Sequence, residues 1–354
     1  MLAWLVWNPD RVLFNIPFIH HPIMVYGACF VLGFVLGFFI MVWLLTKHFL
    51  KFPLERKDIL SWPRFIKLWQ SSPAPFLDKK LVAEFTHLQA GQEIRPYQQD
   101  KLLNHLQSHP RKELETLFSG AIHTAYDWAY SITDRLTWYV VVGTVVGARL
   151  GHVFFYDWPR YQGNLWEIFA IWKGGLASHG GVLGVFIAVL LFYGRSLRHN
   201  FPTLSFLSLL DLMVIPSSLV AFFIRVGNFF NQEIVGPETT VPWAVIFGDP
   251  SDGSAWVPRH PSQLYEAIAY FAIFLLLLKI RSFSFSQRPG FLTGLFFTLL
   301  FSFRFFIEFL KLPQSLMIDE SFLQMGQLLS IPFVLAGLVL MYNSLKRTPF
   351  PHSA

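Results

Sequence analysis

"IMVYGACFVLGFVLGFFIMVWLLT", residues 23 to 46, runs its whole length without a charge. A helix crossing the hydrocarbon core of a bilayer needs about 20 mostly apolar residues, so this stretch is long enough to span one. Six more runs of similar character follow at residues 136 to 156, 179 to 194, 204 to 224, 264 to 280, 290 to 310 and 325 to 345. The third is short, and it either enters at a slant or starts inside the protein. The fold class expected is therefore an all-α polytopic membrane protein of about seven transmembrane helices. Composition agrees: 53% of the 354 residues are hydrophobic and 39 are phenylalanine, while only 14% are charged. A soluble domain carries about 25% charged residues, and one soluble core would leave much of that phenylalanine in exposed patches.

The first run starts too late, and lacks both a basic stretch before it and a small-residue cleavage site after it, to be a removable signal peptide. It reads as a retained anchor. Basic residues near helix ends remain cytoplasmic, and they cluster after the odd-numbered runs: Lys47, Lys51, Arg56 and Lys57; Arg195 and Arg198; Lys279, Arg281 and Arg288; Lys346 and Arg347. With seven spans all four clusters fall on one side, which puts the N-terminus outside and the C-terminus in the cytoplasm. The net charge of +6 is largely this bias. No basic helix or aromatic RNA-binding pattern accompanies it, so a nucleic-acid partner is not expected. The one cysteine, Cys29, excludes a disulfide framework. Its apolar setting disfavours the thiolate a nucleophile requires.

Three regions are expected: residues 1–46 with the first helix, a cytoplasmic helical insert over 47–135, and a six-helix catalytic membrane core over 136–354. The insert is polar and punctuated by Pro53, Pro63, Pro73 and Pro75. Its stretches "KKLVAEFTHLQAGQ" and "DKLLNHLQSHPRKELETLF" repeat apolar residues at helical spacing. Such helices most often bury their own stripe, although a partner-binding face is the alternative. On the outer side, residues 157–175 and 231–263 form the long connections. The second contains two strand-like pieces, "VPWAVIF" and "SAWVPRH", separated by turn residues, which suggests a small extracytoplasmic cap. No internal repeat is evident, which weighs against a transporter built from duplicated halves.

Ionisable groups inside or at the outer ends of the apolar runs carry the functional signal, since each costs at least about 2.5 kcal/mol at a helix centre. They are Arg149, His179, Asp211, Arg225, Glu233, His260, Glu266, Arg304 and Glu308. The planar fork of arginine grips phosphate in two places and keeps its charge, so three arginines at this depth suit a phosphodiester headgroup. Plainer readings stand beside this one. Arg304 and Glu308, four apart, can neutralise each other; Arg225 can pair with Glu233 or Asp211; Arg149 can snorkel. Asn228 and Asn231 can donate to ester or phosphate oxygens or act as helix caps, and Ser262 with Glu266 can be only a helix start. His179 sits in "GGLASHGGVLG" (174–184), whose glycines let the main chain approach a ligand and expose N–H groups to an anion. The histidines lack metal-ligand spacing, so no metal and no cofactor is expected.

"GGLASHGGVLG", "RVGNFFNQEIVG", "RHPSQLYEA", "RFFIEF" and "GQLLSIP" occur in this order between about residues 174 and 332. With "VYGACFVLGF" around Tyr26 and "GARLGHVFFYDW" around Arg149, they closely resemble the bacterial prolipoprotein diacylglyceryl transferases. The resemblance covers nearly the whole chain outside 47–135. It implies an inner-membrane enzyme that moves the diacylglyceryl group of phosphatidylglycerol onto the lipobox cysteine of a prolipoprotein, whose signal peptide it meets among the membrane lipids. Carried over, the catalytic residues are His179, Arg225 and Arg304. Tyr26, Arg149, Asn228, Glu233, Gly236, His260 and Glu308 are then expected to bind substrate. The chain departs from the family pattern at Leu300, Ile224, Lys311 and Gln314, which touches rim contacts more than the reaction. The rival classes are an anionic-lipid transporter or a membrane scaffold without chemistry.

Overall fold

The computed structural model describes residues 4–17, 22–83, 85, 94–311 and 323–347. Among them are seven helices long and apolar enough to cross a membrane. They are α1 (Val25–Phe49), α6 (Ala125–Phe155), α8 (Ser178–Phe192), α9 (Phe206–Phe230), α10 (Ser262–Ile280), α11 (Phe291–Ile307) and α12 (Met325–Leu345). Shorter helices lie between them: α2 (Trp62–Ser71), α3 (Lys80–Ala83), α4 (Pro96–Leu106), α5 (Arg111–Leu117) and α7 (Trp158–Gln162). The seven apolar runs and the long helices agree one for one, and the fold is all-α and polytopic. Large apolar side chains such as Val31, Phe39 and Trp138 lie exposed on the long helices, as a lipid-facing surface requires.

Three boundaries extend beyond the apolar runs. Helix α6 begins at Ala125, because Thr124 and Asp127 exchange side-chain and backbone hydrogen bonds and cap it there. Helix α8 continues through a π-helical turn, Tyr193–Leu197, giving the short third run 19 helical residues, His179–Leu197. Helix α9 runs on to Phe230, so Arg225 and Asn228 lie within its last turns.

Of the described residues, those up to 40 and from 205 onward form one compact unit, and 41–204 form a second. In the first unit α9, α10, α11 and α12 pack in sequence. Asp211 on α9 caps α11 by accepting from Gly290 N (2.7 Å), Thr293 N (2.7 Å) and Thr293 Oγ1 (2.6 Å). A three-stranded sheet joins β1 (Leu5–Trp7), parallel to β4 (Val245–Phe247), with antiparallel β5 (Pro258–Arg259); β2 (Val12–Asn15) and β3 (Pro22–Met24) pair separately. The strand-like pieces are thus strands β4 and β5. Trp7 stacks on Phe229 at 4.6 Å and donates its indole N–H to the Phe229 carbonyl, which ties the sheet to the end of α9.

In the second unit α6 and α8 meet along glycine. Gly143, Gly147 and Gly151 of α6 face Gly180 and Gly184 of α8, so closely that a Cβ on Gly184 would stand 2.0 Å from the Gly143 carbonyl oxygen. Small residues four apart let two apolar helices bring their backbones together, the main source of association where lipid removes the hydrophobic drive. Residues of the polar insert build their own core from Phe65, Trp69, Leu102, Leu114, Phe118 and neighbours. Buried Arg111 closes it, holding Asp58 at 3.0 and 3.2 Å and Glu115 at 2.9 Å, while the Trp128 indole also donates to Asp58. Residues 84 and 86–92 of the first amphipathic stretch lie outside the described residues.

Candidate active site

In the first unit a polar cluster gathers where α9 ends. The Arg225 guanidinium lies with Nε 3.2 Å from Glu266 Oε2, and its Nη1 donates to Asn228 Oδ1 at 3.3 Å. The Asn228 amide then donates to Glu233 Oε1 at 2.7 Å, with Asn231 at 3.4 Å on the same oxygen. This reach of Glu233 back to α9 needs an unusual backbone. Gln232 (φ 55°) and Ile234 (φ 62°) adopt the left-handed region, which a β-branched residue rarely enters. Side chains from the start of α10 fix it: Gln263 Nε2 donates to the Glu233 carbonyl at 2.7 Å and Ser262 Oγ to that of Ile234 at 2.6 Å. Strain held so firmly is characteristic of functional loops. Gly236 ends the loop in a place no side chain fits, since a Cβ there would lie 2.6 Å from the His260 carbonyl oxygen. Tyr26 lies against the same helix end, its ring 2.8 Å from a Cβ built on Gly227. His260 Nδ1 sits 3.1 Å from the Tyr265 hydroxyl, which accepts from Trp243.

Glu266 is the hub. It is fully buried on α10 and meets two cations, Arg225 and Lys311 (Nζ to Oε1, 2.9 Å), and the Tyr270 hydroxyl at 3.1 Å. Burial pushes the Lys311 ammonium below its ordinary pKa, and Glu266 opposes that shift. Both cations share Glu266 in a dry place, where electrostatic attraction for an anion is strong. Glu308 lies 3.9 Å from Lys311 and so near the first turn of α12 that a Cβ on Gly326 would fall 2.3 Å from its Oε1. Arg304 has no ion-pair partner among the described residues, and Tyr270 lies within the electrostatic reach of both Arg304 and Arg225.

These contacts decide between the plainer readings. Arg225 pairs with Glu266 and with neither Glu233 nor Asp211, because Asp211 is spent on α11 and Glu233 on the two asparagines. Glu308 turns to Lys311 and leaves Arg304 unpaired among the described residues. Sequence reasoning marked Glu266 as ionisable at membrane depth but left it out of the site, and it missed Tyr270. The signal was four-residue spacing on an apolar helix, which puts Glu266 and Tyr270 on one face. Lys311, treated as a rim departure, is buried within the cluster. Leu300 lies on α11 one turn before Arg304, partly buried. Gln314 lies outside the described residues.

The second unit holds Arg149 and His179. Gly174 and Gly175 carry φ of 81° and 77°, a conformation glycine adopts freely. They lead into α8, whose first turn presents the exposed His179. Arg149, buried on α6, donates Nε to the Ile168 carbonyl (2.8 Å), Nη1 to those of Gly174 (2.5 Å) and Gly175 (3.2 Å), and Nη2 to that of Glu167 (2.6 Å).

The seven apolar helices define a polytopic membrane protein, and the buried Arg225–Glu266–Lys311 cluster is its candidate site. Comparison with known proteins makes this specific. The family model of prolipoprotein diacylglyceryl transferase matches residues 118–343. The phosphatidylglycerol–prolipoprotein diacylglyceryl transferase of Protochlamydia amoebophila is 45% identical over 362 residues, covering 97% of this chain and 95% of that protein. Proteins of the same name from Tolumonas auensis (47% identical, 60% of this chain and 79% of that protein) and Chloroherpeton thalassium (45%, 60% and 77%) are also similar. The chain belongs to the prolipoprotein diacylglyceryl transferase family. A match covering 97% of the chain also takes in most of the insert, so the Protochlamydia protein shares it.

Proposed function

We propose that this protein transfers the diacylglyceryl group of phosphatidylglycerol to the lipobox cysteine thiol of a prolipoprotein. The thiol sulfur attacks the glyceryl carbon that bears the phosphate, a C–S bond forms as the C–O bond breaks, and glycerol phosphate leaves. The observation that carries this reading is the buried Arg225–Glu266–Lys311 cluster, in which two cations share one carboxylate and Arg225 turns Nη1 to the neutral amide of Asn228. Arg225 and Arg304 hold the phosphate and stabilise the charge that grows on it as the bond breaks, the kind of stabilisation that contributes most to catalysis. Asn228, with Glu233 behind it, orients Arg225 and reaches ester oxygens. Tyr26, Gly236, His260 and Glu308 shape the surroundings of the bound headgroup. His179 accepts the thiol proton as general base, a role suited to imidazole near neutral pH. The family's substrates, one a lipid and the other a signal-peptide helix, both suit access from the bilayer.

The clusters of lysine and arginine after alternate helices support an inner-membrane orientation with the N-terminus outside and the C-terminus cytoplasmic. Three parts follow from that reading: the N-terminal segment with its first helix, the cytoplasmic insert and the six-helix core. The test is direct. Purified protein, phosphatidylglycerol and a lipobox peptide are incubated and analysed by mass spectrometry. A diacylglyceryl thioether with equimolar glycerol phosphate is expected; phosphatidylglycerol bound or moved without an adduct would identify a transporter.

A further inference from the structure

Arg149 stands in the block "GARLGHVFFYDW", and a buried arginine on an apolar helix invites the assumption that it grips substrate. Its contacts exclude that use of most of the guanidinium. Four of its five N–H donors go to backbone carbonyls, those of Glu167, Ile168, Gly174 and Gly175, and its flat face lies 5.2 Å from the Tyr161 ring centroid. Every carbonyl belongs to the loop that enters α8. The same loop is tied to α6 a second time, where Ala177 N donates to the Ala148 carbonyl at 2.9 Å. At Gly175 the backbone passes so close to α6 that a Cβ would lie 2.6 Å from the His152 ring and 3.0 Å from Arg149 Nη1. His179 follows four residues later, on a helix seated against α6 through Gly180 and Gly184.

We infer that Arg149 is a positioning residue: it organises residues 167–175 around its guanidinium and thereby fixes the place of His179, and it does not hold the lipid phosphate. A lysine keeps the charge but presents a single ammonium, which cannot fan out to four carbonyls in one plane. The inference rests on the transferase reading only for its catalytic consequence, and the loop-ordering part is testable without turnover.

Two measurements on Arg149→Lys, with Arg149→Ala as a second variant, decide it. Hydrogen–deuterium exchange on the detergent-solubilised full chain should be faster in residues 165–177 and unchanged in 206–230. Steady-state transfer to a lipobox peptide should lose roughly 100-fold in kcat, the scale expected when a reacting group is misplaced by about 1 Å, with KM for phosphatidylglycerol unaltered. The double variant with His179→Ala should be no slower than His179→Ala alone. A raised KM with kcat preserved, or losses that multiply in the double variant, would overturn the inference in favour of phosphate binding. Unchanged exchange across 165–177 would overturn it whatever the kinetics. Should the wild-type chain make no adduct, the transferase reading fails while the exchange result still judges the loop.

Discussion

Arg111 and Arg225 are both buried arginines, and their surroundings differ in one respect. Arg111 sits in the insert with Nε on Glu115 and both terminal nitrogens on Asp58, so charge and donors are met by two carboxylates. Arg225 shares its single carboxylate, Glu266, with Lys311, which also has Glu308 at 3.9 Å, and its other neighbours are the neutral Asn228 amide and the Tyr270 ring. The first arrangement is closed, and in the second one carboxylate is shared between two cations. Burying a charge is costly, and an arginine that shares its carboxylate suits the anion-binding role proposed for it. Residue type does not distinguish architecture from chemistry here; the balance of partners does.

Removing each arginine in turn separates the two roles. Arg111→Ala should leave Asp58 buried and uncompensated and cost about 3–5 kcal/mol, read by chemical unfolding of the insert through its tryptophans, while transfer per folded molecule is preserved. Arg225→Ala should do the reverse, lowering kcat by about 10²–10³-fold, or roughly 2.7–4 kcal/mol of transition-state stabilisation, with the unfolding midpoint little changed. Should Arg225→Ala retain full transfer in a transferase-depleted strain, the shared carboxylate would have no catalytic meaning.

The sequence predicts the closed and open regions unequally well. Spans were legible because an apolar run of bilayer length has few other uses, and their number and order hold. Their ends were not, because the residues that extend α6 and α9, such as Thr133, Arg135, Arg225 and Asn228, are polar and interrupt the run without interrupting the helix. Within the insert, the stretch "DKLLNHLQSHPRKELETLF" falls on α4 and α5, while α2 lies outside both amphipathic stretches. The insert's Asp58–Arg111 pair, 53 residues apart, was not legible. Within the site, the identities of Arg225, Asn228 and Glu233 stood out as polar groups near an apolar run. The carboxylate facing Arg225 did not, since Glu266 comes from another helix and spacing along one helix cannot reveal a neighbour across a groove. Asp211 misled for the same reason, its role as a cap being set by residues 79 and 82 positions away.

A milder change alters charge without altering shape. Glu233→Gln keeps an oxygen for Asn228 and Asn231 to donate to and removes the negative charge behind them. Hydrogen bonds to charged groups are worth about 1.5–3 kcal/mol against about 1 for neutral ones, so kcat/KM should fall on the order of tenfold. The strained backbone at Gln232 and Ile234 should survive, because Gln263 and Ser262 hold it through carbonyls and not through the carboxylate. An effect as large as that of Arg225→Ala would mean that Glu233 touches the reacting atoms.

The smallest expected effect concerns Cys29. It is half-buried on α1 as a free thiol, and a covalent route would have this thiol take the diacylglyceryl group first and pass it on. An apolar span offers it little to favour the thiolate, whereas the cationic cluster by Arg225 and Lys311 is suited to an anionic leaving group and to a thiol brought by the substrate. Cys29→Ser should therefore leave both kcat and KM unchanged, and mass spectrometry of the wild-type chain incubated with phosphatidylglycerol alone should find no added mass on residues 25–49. A diacylglyceryl adduct there, with loss of transfer in the serine variant, would move the nucleophile into this protein and leave Arg225 serving a two-step exchange.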